Sequence, residues 1–86
     1  MKELKETAEL MTSADYKDRF VAEYWQVKIR YDKLADMLAR HKAGTLEFKP
    51  TCPINLLSNQ KAHMGRYLQI LAQRAAMEGI DLEVGA

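Results

Sequence analysis

This chain has few cysteines that could form disulfides, no long apolar run that could enter a membrane, and few residues that interrupt helices. Cys52 is the only cysteine of the 86 residues, so it has no partner for a disulfide within the chain, and a lone thiol favours a reducing compartment. No apolar run approaches the ~20 residues that span a bilayer, and the alternating charges of residues 1–12 are unlike a signal peptide. We therefore expect one small, soluble domain in the cytoplasm that contacts no membrane.

Proline and glycine are also scarce, and neither occurs between Ser13 and Gly44. This stretch predicts a long helix over residues 13–43, ~45 Å at 1.5 Å per residue. Its apolar residues recur with spacings of four and three, which is typical of a narrow helix face turned towards a partner helix. The members of this seam are Phe20, Tyr24, Val27, Tyr31, Leu34 and Leu38.

A second helix is predicted over residues 53–79. Pro53 favours its first turn, with Thr51 or Cys52 as the N-cap, and Gly79 favours its end. Its apolar seam consists of Ile54, Leu57, Met64, Leu68, Leu71 and Ala75. Two helices of similar length joined by about nine residues predict an antiparallel hairpin.

The remaining segments are short. Residues 1–12 are predicted as a short N-terminal helix or arm, and residues 80–86 as an extended tail that packs locally or against another subunit. In the connector, residues 44–52, Leu46 and Phe48 alternate with polar residues, so we expect their apolar side to fold back over the end of the hairpin. The predicted fold class is all-α, a hairpin of two long helices with a short N-terminal helix.

The register of the hairpin follows from pairing residue x with residue 96 − x. This pairing places Tyr31 opposite Gly65, Tyr24 opposite Ala72, and Phe20 opposite Ala75 and Ala76. Each aromatic residue then faces a small one. Glycine inside a helix costs about 1 kcal/mol relative to alanine, so room for a tyrosine ring is a physical reason for Gly65.

A second apolar stripe on the first helix consists of Val21, Trp25 and Ile29. One partner helix cannot cover both this stripe and the seam. Either the N-terminal helix lies over the stripe or a second subunit does, and the ten-residue N-terminal helix covers only ~15 Å of the rod. We therefore expect the stripe to be a subunit interface in a homo-oligomeric helical bundle.

The sequence gives little support for a metal site or a catalytic site. The register places His41 and His63 about eight residues apart along the rod, ~12 Å, which is too far to share an ion. Ser13 and Ser58 have no neighbouring base that could activate them. We expect no enzyme activity, no metal and no cofactor.

Positive charge is concentrated in the middle of the chain, where residues 24–77 contain nine Lys/Arg and three Asp/Glu. Either these cations meet acids of another segment or subunit, or they bind an anion such as a nucleotide phosphate. For the second case the candidate phosphate ligands are Lys28, Arg30 and Arg66, and the candidates for stacking on a base are Tyr16, Tyr24 and Tyr67.

One further flank is defined by a seven-residue recurrence on the second helix. Gln60, Tyr67 and Arg74 share a side of this helix, next to its apolar seam. A polar and aromatic flank of this kind is a candidate contact with a subunit or a ligand. Gln60 and Arg74 are therefore grouped with the stripe as candidate interface residues.

Much of the chain, about residues 15–82, resembles small phage and prophage proteins of Gram-positive bacteria. This resemblance implies a phage origin without an activity. It rests on the runs Asp15-Tyr-Lys-Asp-Arg-Phe-Val-Ala-Glu-Tyr24, Lys28-Ile-Arg-Tyr-Asp-Lys-Leu34 and Ala43-Gly-Thr-Leu-Glu-Phe48, and on Cys52-Pro53, Met64, Tyr67-Leu68, Arg74-Ala75 and Gly79-Ile-Asp-Leu82.

The second helix, which ends in an apolar run followed by Arg74-Ala75, also resembles the phage helical-hairpin sponges of the anti-CBASS and anti-Thoeris group. That resemblance implies an oligomeric, non-enzymatic protein that sequesters a cyclic nucleotide signal of host immunity. A module that docks a helical face on a host protein, anchored by Val21, Trp25 and Ile29, is the alternative. A weak nucleic-acid binder is the third hypothesis.

Overall fold

The computed structural model describes residues 3–83 and consists of helices and their connections. A 3-10 turn, Leu4–Thr7, leads into the short helix α1, Ala8–Met11, and is followed by α2, Tyr16–Ala43, and α3, Ile54–Glu78. The two long helices pack against each other as a hairpin, which confirms the predicted all-α fold. The molecule measures 43 × 24 × 18 Å. Within the described range, no helix has the length and apolarity needed to cross a membrane.

Helix α2 begins three residues later than its sequence pattern predicts, because Asp15 is its N-cap. The Asp15 carboxylate accepts a hydrogen bond from the backbone N–H of Lys17 at 3.0 Å, which satisfies one of the free N–H groups of the first turn. The Ser13 hydroxyl donates to Asp18 at 2.8 Å and so joins the residues before the helix to its first turn. The helix ends at Gly44, whose φ of 77° is in the left-handed region.

Helix α3 begins after Pro53, which occupies the N-cap position itself. The expectation that Thr51 or Cys52 caps this helix is therefore wrong. The Pro53 carbonyl accepts hydrogen bonds from the N–H groups of Leu56 and Leu57 at 3.1 and 3.2 Å, and proline loses no hydrogen bond at a position where its own N–H would be free.

The register of the hairpin agrees with the sequence at Tyr31 and Gly65, whereas Ala76, one of the two residues predicted opposite Phe20, is exposed. A Cβ atom on Gly65 would lie 3.3 Å from Cε2 of Tyr31, so the tyrosine ring rests on the glycine backbone. Phe20 and Ala75 belong to one buried cluster. The pairing of Tyr24 with Ala72 stays a prediction.

The hydrophobic core lies at one end of the hairpin, which we call the closed half. It is a cluster of buried side chains from α2, α3 and the residues after α3, with Leu10, Tyr24, Trp25 and Leu82 packed against it; its members are Phe20, Val21, Leu71, Ala75 and Ile80. Three segments of chain therefore surround this end of the rod: the hairpin itself, the N-terminal segment and the tail.

The stripe formed by Val21, Trp25 and Ile29 is covered within the chain, which corrects the expectation that it is left for a second subunit. Val21 and Ile29 are 4% and 6% exposed. The 3-10 turn and α1 pack along α2, and Leu10 packs against the cluster that contains Val21. On the other side, the Trp25 indole N–H donates to the Leu82 carbonyl at 2.7 Å.

The connector and the tail differ in how well they pack. Leu46 is half-buried, but the Phe48 side chain is 59% exposed, so the expectation that both fold back over the end of the hairpin is wrong for Phe48. In the tail, Ile80 is buried. This segment packs locally as far as residue 83, and the last predicted tail residues lie outside the described range.

Candidate functional site

A large cavity lies as a groove between α2 and α3, in the half of the hairpin that leads to the connector. It has a volume of about 1080 Å³, and we call it the basic groove. Apolar and aromatic side chains form much of its wall, including Tyr24, Tyr31, Leu38, Ile54 and Leu68. Its volume is just above the range of about 300–1,000 Å³ that is usual for small-molecule sites.

The basic groove exists because the core ends before it. Buried side chains stop at Ile29 on α2 and resume at Leu68 on α3, and every residue between them is half-buried or exposed. The side-chain hydrogen bonds that join α2 to the tail and to the N-terminal segment are at Trp25 and Gln26, near the end of the groove that adjoins the closed half. Tyr31 spans the gap to Gly65, and the Lys61 ammonium lies 6.0 Å from the centre of the Tyr31 ring, within reach of a cation–π contact.

Four cationic side chains line the basic groove, with His41 beside them: Lys28, Lys42, Lys61 and Arg66. No carboxylate is among the residues that line it in the described part of the chain. Of the four, only Lys28 forms an ion pair within residues 3–83, with Asp32 at 3.0 Å. Arg66 instead donates to the side-chain oxygen of Gln69 at 3.4 Å. The groove therefore presents positive charge that neighbouring acids leave largely uncompensated.

Lys28 remains charged in this setting. Its hydrogen bond to Asp32 raises the pKa of its ammonium group above the ordinary value, against an opposing contribution from partial desolvation. The ion pair also orients the side chain along α2. Lys28 is therefore protonated at any pH near neutrality, with part of its charge compensated by Asp32.

The structure brings three of the predicted ligand-binding residues together in the basic groove. Lys28 and Tyr24 come from α2 and Arg66 from α3. Arg30 is exposed and does not line the groove. With a rotation of 100° per residue, it points to the other side of α2.

Tyr16 lies in a different cluster and does not line the basic groove. Its hydroxyl donates to Glu78 at 2.8 Å and accepts from Arg74 at 2.9 Å. Arg74 also pairs with Glu78 at 3.3 Å and lies over the Phe20 ring at 4.9 Å. We call Tyr16, Arg74 and Glu78 the clasp, since it ties the start of α2 to the end of α3.

The other predicted contact residues on α3 also lie outside the groove. Tyr67 is 40% exposed, and its hydroxyl donates to the Glu23 carboxylate. Gln60 is exposed, and Arg74 belongs to the clasp. These three side chains do not share a site with Lys28 and Arg66.

Lys42, Lys61 and Tyr31 are the groove residues that the sequence reasoning missed as ligand contacts. Tyr31 had been placed in the seam, where its ring does lie, and its position at the edge of the gap gives it a second role. Lys61 carried a signal: it falls between Leu57 and Met64 at a position where the seam of α3 would require an apolar residue. A lysine in a helix seam indicates that the two helices are not in tight contact there.

The comparisons with known proteins give one match. Residues 14–77, which are 64 of the 86 residues, match the model of the family described as Sequestin. No curated protein and no solved structure matches the chain. The matched range includes all of α3 except its last residue and all of α2, and therefore both walls of the basic groove. Since the match extends over well more than half of the sequence, the chain belongs to the Sequestin family.

Proposed function

We propose that this protein binds a small anionic ligand, most specifically a signalling nucleotide, in the basic groove and holds it there without chemical change. The observation that carries this proposal is the charge of the groove: four cations and no carboxylate among the described lining residues. An anion that enters gains charge-assisted hydrogen bonds to these groups.

The shape of the basic groove favours a nucleotide over a simple inorganic anion. Lys28 and Lys42 are 14 residues apart on α2, ~21 Å along the helix, so the cations are spread over a length that suits a ligand with more than one phosphate. Tyr24 and Tyr31 line the same cavity. Their rings provide surfaces on which a base can stack, at roughly 1–3 kcal/mol per base.

Sequestration, rather than catalysis, agrees with the residues that are present. The family name, Sequestin, denotes a sequestering protein. Among its described lining residues, the groove offers cations, phenols, His41 and Ser58, but no carboxylate that could complete an acid and base pair to cleave the ligand. Such a protein acts by stoichiometry, since each molecule removes the ligand that it holds.

The biological setting that we propose is the cytoplasm of a host cell during phage infection. The resemblance to phage proteins and to the cyclic-nucleotide sponges supports a role in withdrawing an immune signal from the host. We also propose that the protein is a homo-oligomer. Because Val21 and Ile29 are buried within one chain, they do not provide the contact between copies, nor the anchor for docking on a host protein.

Calorimetry on the full chain tests the proposed function. Titrations with cyclic dinucleotides, cyclic trinucleotides and cyclic ADP-ribose isomers should give heat with at least one ligand. That ligand should be recovered unchanged after the protein is denatured, since no reaction is expected. Absence of heat with every ligand, or recovery of a cleaved product, would overturn the proposal.

Two variants of matched charge distinguish the basic groove from other surfaces. Arg66→Ala should weaken binding about tenfold or more, because a hydrogen bond to a charged group contributes roughly 1.5–3 kcal/mol and each 1.4 kcal/mol is about a factor of ten in affinity. Arg30→Ala removes the same charge from the opposite side of α2 and should leave the affinity within about twofold. The reverse pattern would place the ligand outside the groove.

A further inference from the structure

A second cavity lies against the connector, next to the end of the basic groove. It has a volume of about 390 Å³, near the lower end of the range of about 300–1,000 Å³ that is usual for small-molecule sites. This volume suits one ring system of a ligand better than a whole nucleotide. We call it the connector cavity; besides Gly44, the residues that line it are His41, Leu46, Glu47, Phe48, Lys49 and Pro50.

The basic groove and the connector cavity meet at His41, which lines both of them. His41 belongs to the last turn of α2, and its neighbour Lys42 lines the basic groove at the same end. A ligand that lies along the groove and continues past His41 therefore enters the connector cavity. One elongated ligand can occupy both.

The wall of the connector cavity is held in place relative to α2. The Thr45 N–H donates to the Arg40 carbonyl at 2.9 Å, and the Gly44 N–H donates to the His41 carbonyl at 3.1 Å. These two bonds fix the direction in which the chain leaves the helix. Leu46 is half-buried further along the connector, so the cavity is part of the fold.

The Phe48 ring is the aromatic surface of the connector cavity. Its side chain is 59% exposed, so the fold leaves most of the ring in water. A single exposed apolar residue is normal on a protein surface, but Phe48 lines a cavity that adjoins the basic groove. An aromatic ring in such a place offers a face on which a nucleobase can stack.

Charge divides the two cavities between different parts of a ligand. The basic groove has four cations and no carboxylate among its described lining residues, so it favours phosphates. The connector cavity is lined by one acid, Glu47, and one cation, Lys49, so its charges balance. An uncharged, planar group is therefore a better occupant of the connector cavity than a phosphate.

We propose that the connector cavity is a subsite for a nucleobase, which stacks on Phe48 while the phosphates of the same nucleotide lie in the basic groove beside His41 and Lys42. This inference rests on the proposed function and adds a base contact to it. Tyr24 and His41 are 17 residues apart on α2, ~26 Å along the helix, so a base on Phe48 is not the base that stacks on Tyr24.

Calorimetry on the full chain with ATP and with inorganic tripolyphosphate tests the subsite. ATP should bind more tightly, because only ATP carries a base. Phe48→Ala should weaken ATP binding about fivefold or more, which is the contribution of one stacked base, and should leave the affinity for tripolyphosphate within about twofold. Phe48→Trp should keep the affinity for ATP within about twofold, since the indole ring also stacks.

Leu56→Ala is the matched control. Leu56 is 57% exposed, close to the 59% of Phe48, and it lines neither cavity. Its replacement removes an equally exposed apolar side chain and should leave the affinity for ATP within about twofold. Circular dichroism verifies that each variant keeps the helical fold, as the exposure of both side chains leads us to expect.

Three results would overturn the subsite: an unchanged affinity of Phe48→Ala for ATP, an equal loss for ATP and tripolyphosphate, or no heat with ATP where a cyclic nucleotide binds. Arg66→Ala separates these results from a failure of the proposed function. If Arg66→Ala weakens nucleotide binding and Phe48→Ala does not, the groove is retained and the subsite is wrong. If no nucleotide gives heat, the proposed function fails, and the subsite fails with it.

Discussion

The closed half and the groove half of the hairpin are built from the same two helices, yet they differ in what surrounds them. In the closed half, the N-terminal segment and the tail complete a core in which Leu71 is fully buried. In the groove half, only α2 and α3 are present, and no residue between positions 30 and 67 is buried. Two helices alone cannot exclude water from both sides of their contact.

Because of this difference, the residues that stabilise the fold lie in one half of the hairpin and the residues proposed to bind a ligand lie in the other. The side chains that hold the fold together are concentrated in one half, so the other half can hold cations and a large cavity without unfolding the chain. Lys61 could not occupy a seam position in the closed half, where an ammonium group would be buried without a partner. The incomplete packing of the groove half is what makes room for a ligand.

The largest expected effect comes from removing apolar volume in each half. Leu71→Ala should lower the free energy of unfolding by about 2–5 kcal/mol, because it leaves a cavity in a closed core. Leu38→Ala, the matched change in the groove half, should cost only about 1 kcal/mol, since Leu38 is half-buried and its site is already open to water. Urea denaturation measures both; equal losses would contradict the division into two halves.

An intermediate effect is expected where the Tyr31 ring rests on Gly65 within the groove half. Gly65→Leu should destabilise the chain by about 1–3 kcal/mol, because the new side chain meets the Tyr31 ring. In a Tyr31→Ala background the same change should instead stabilise by up to about 1 kcal/mol, since the clash is gone and leucine favours helix more than glycine does. Thermal melts of the four chains give the comparison, and an unchanged sign would contradict the register.

The smallest effect is expected at the clasp, which ties the start of α2 to the end of α3. Donation to Glu78 raises the pKa of the Tyr16 phenol above its ordinary value, so the folded state favours the protonated form. The stabilisation should be fully present below the phenol's unfolded pKa, about 10, and lost as the pH rises through the higher folded value. The difference in urea midpoint between the unmodified chain and Tyr16→Phe should therefore shrink from about pH 8 to about pH 11. A difference that stays constant over that range would exclude the clasp as its source.

The candidate site could be predicted only in part, and the residues show why. Lys28, Tyr24 and Arg66 were identified because cations and aromatics recur near the seams, and the structure places all three in the basic groove. Tyr16 likewise has cations and aromatic residues near it in the sequence, but the structure places it in the clasp. Spacing along one helix gives the side on which a residue lies, and it does not give the residue that another segment brings to meet it.

The covering of Val21, Trp25 and Ile29 shows the same limit for the fold. A second apolar stripe requires a partner, and the sequence offered the N-terminal helix and another subunit as candidates. Two contacts within the chain decide between them: residues 4–11 pack along α2, and the Trp25 indole bonds to the Leu82 carbonyl. The docking of short terminal segments depends on several contacts made together, which no local pattern records.

By itself, then, the sequence determined the parts of this protein that follow from local rules. The absence of proline and glycine, the seam spacing and the glycine ends specify two long helices, and one size match, Tyr31 against Gly65, specifies how they align. Only the tertiary structure decided which half of the hairpin receives the terminal segments and which half stays open. That arrangement rests on contacts between distant parts of the chain. It leaves a groove between the two helices, and unneutralised cations line it.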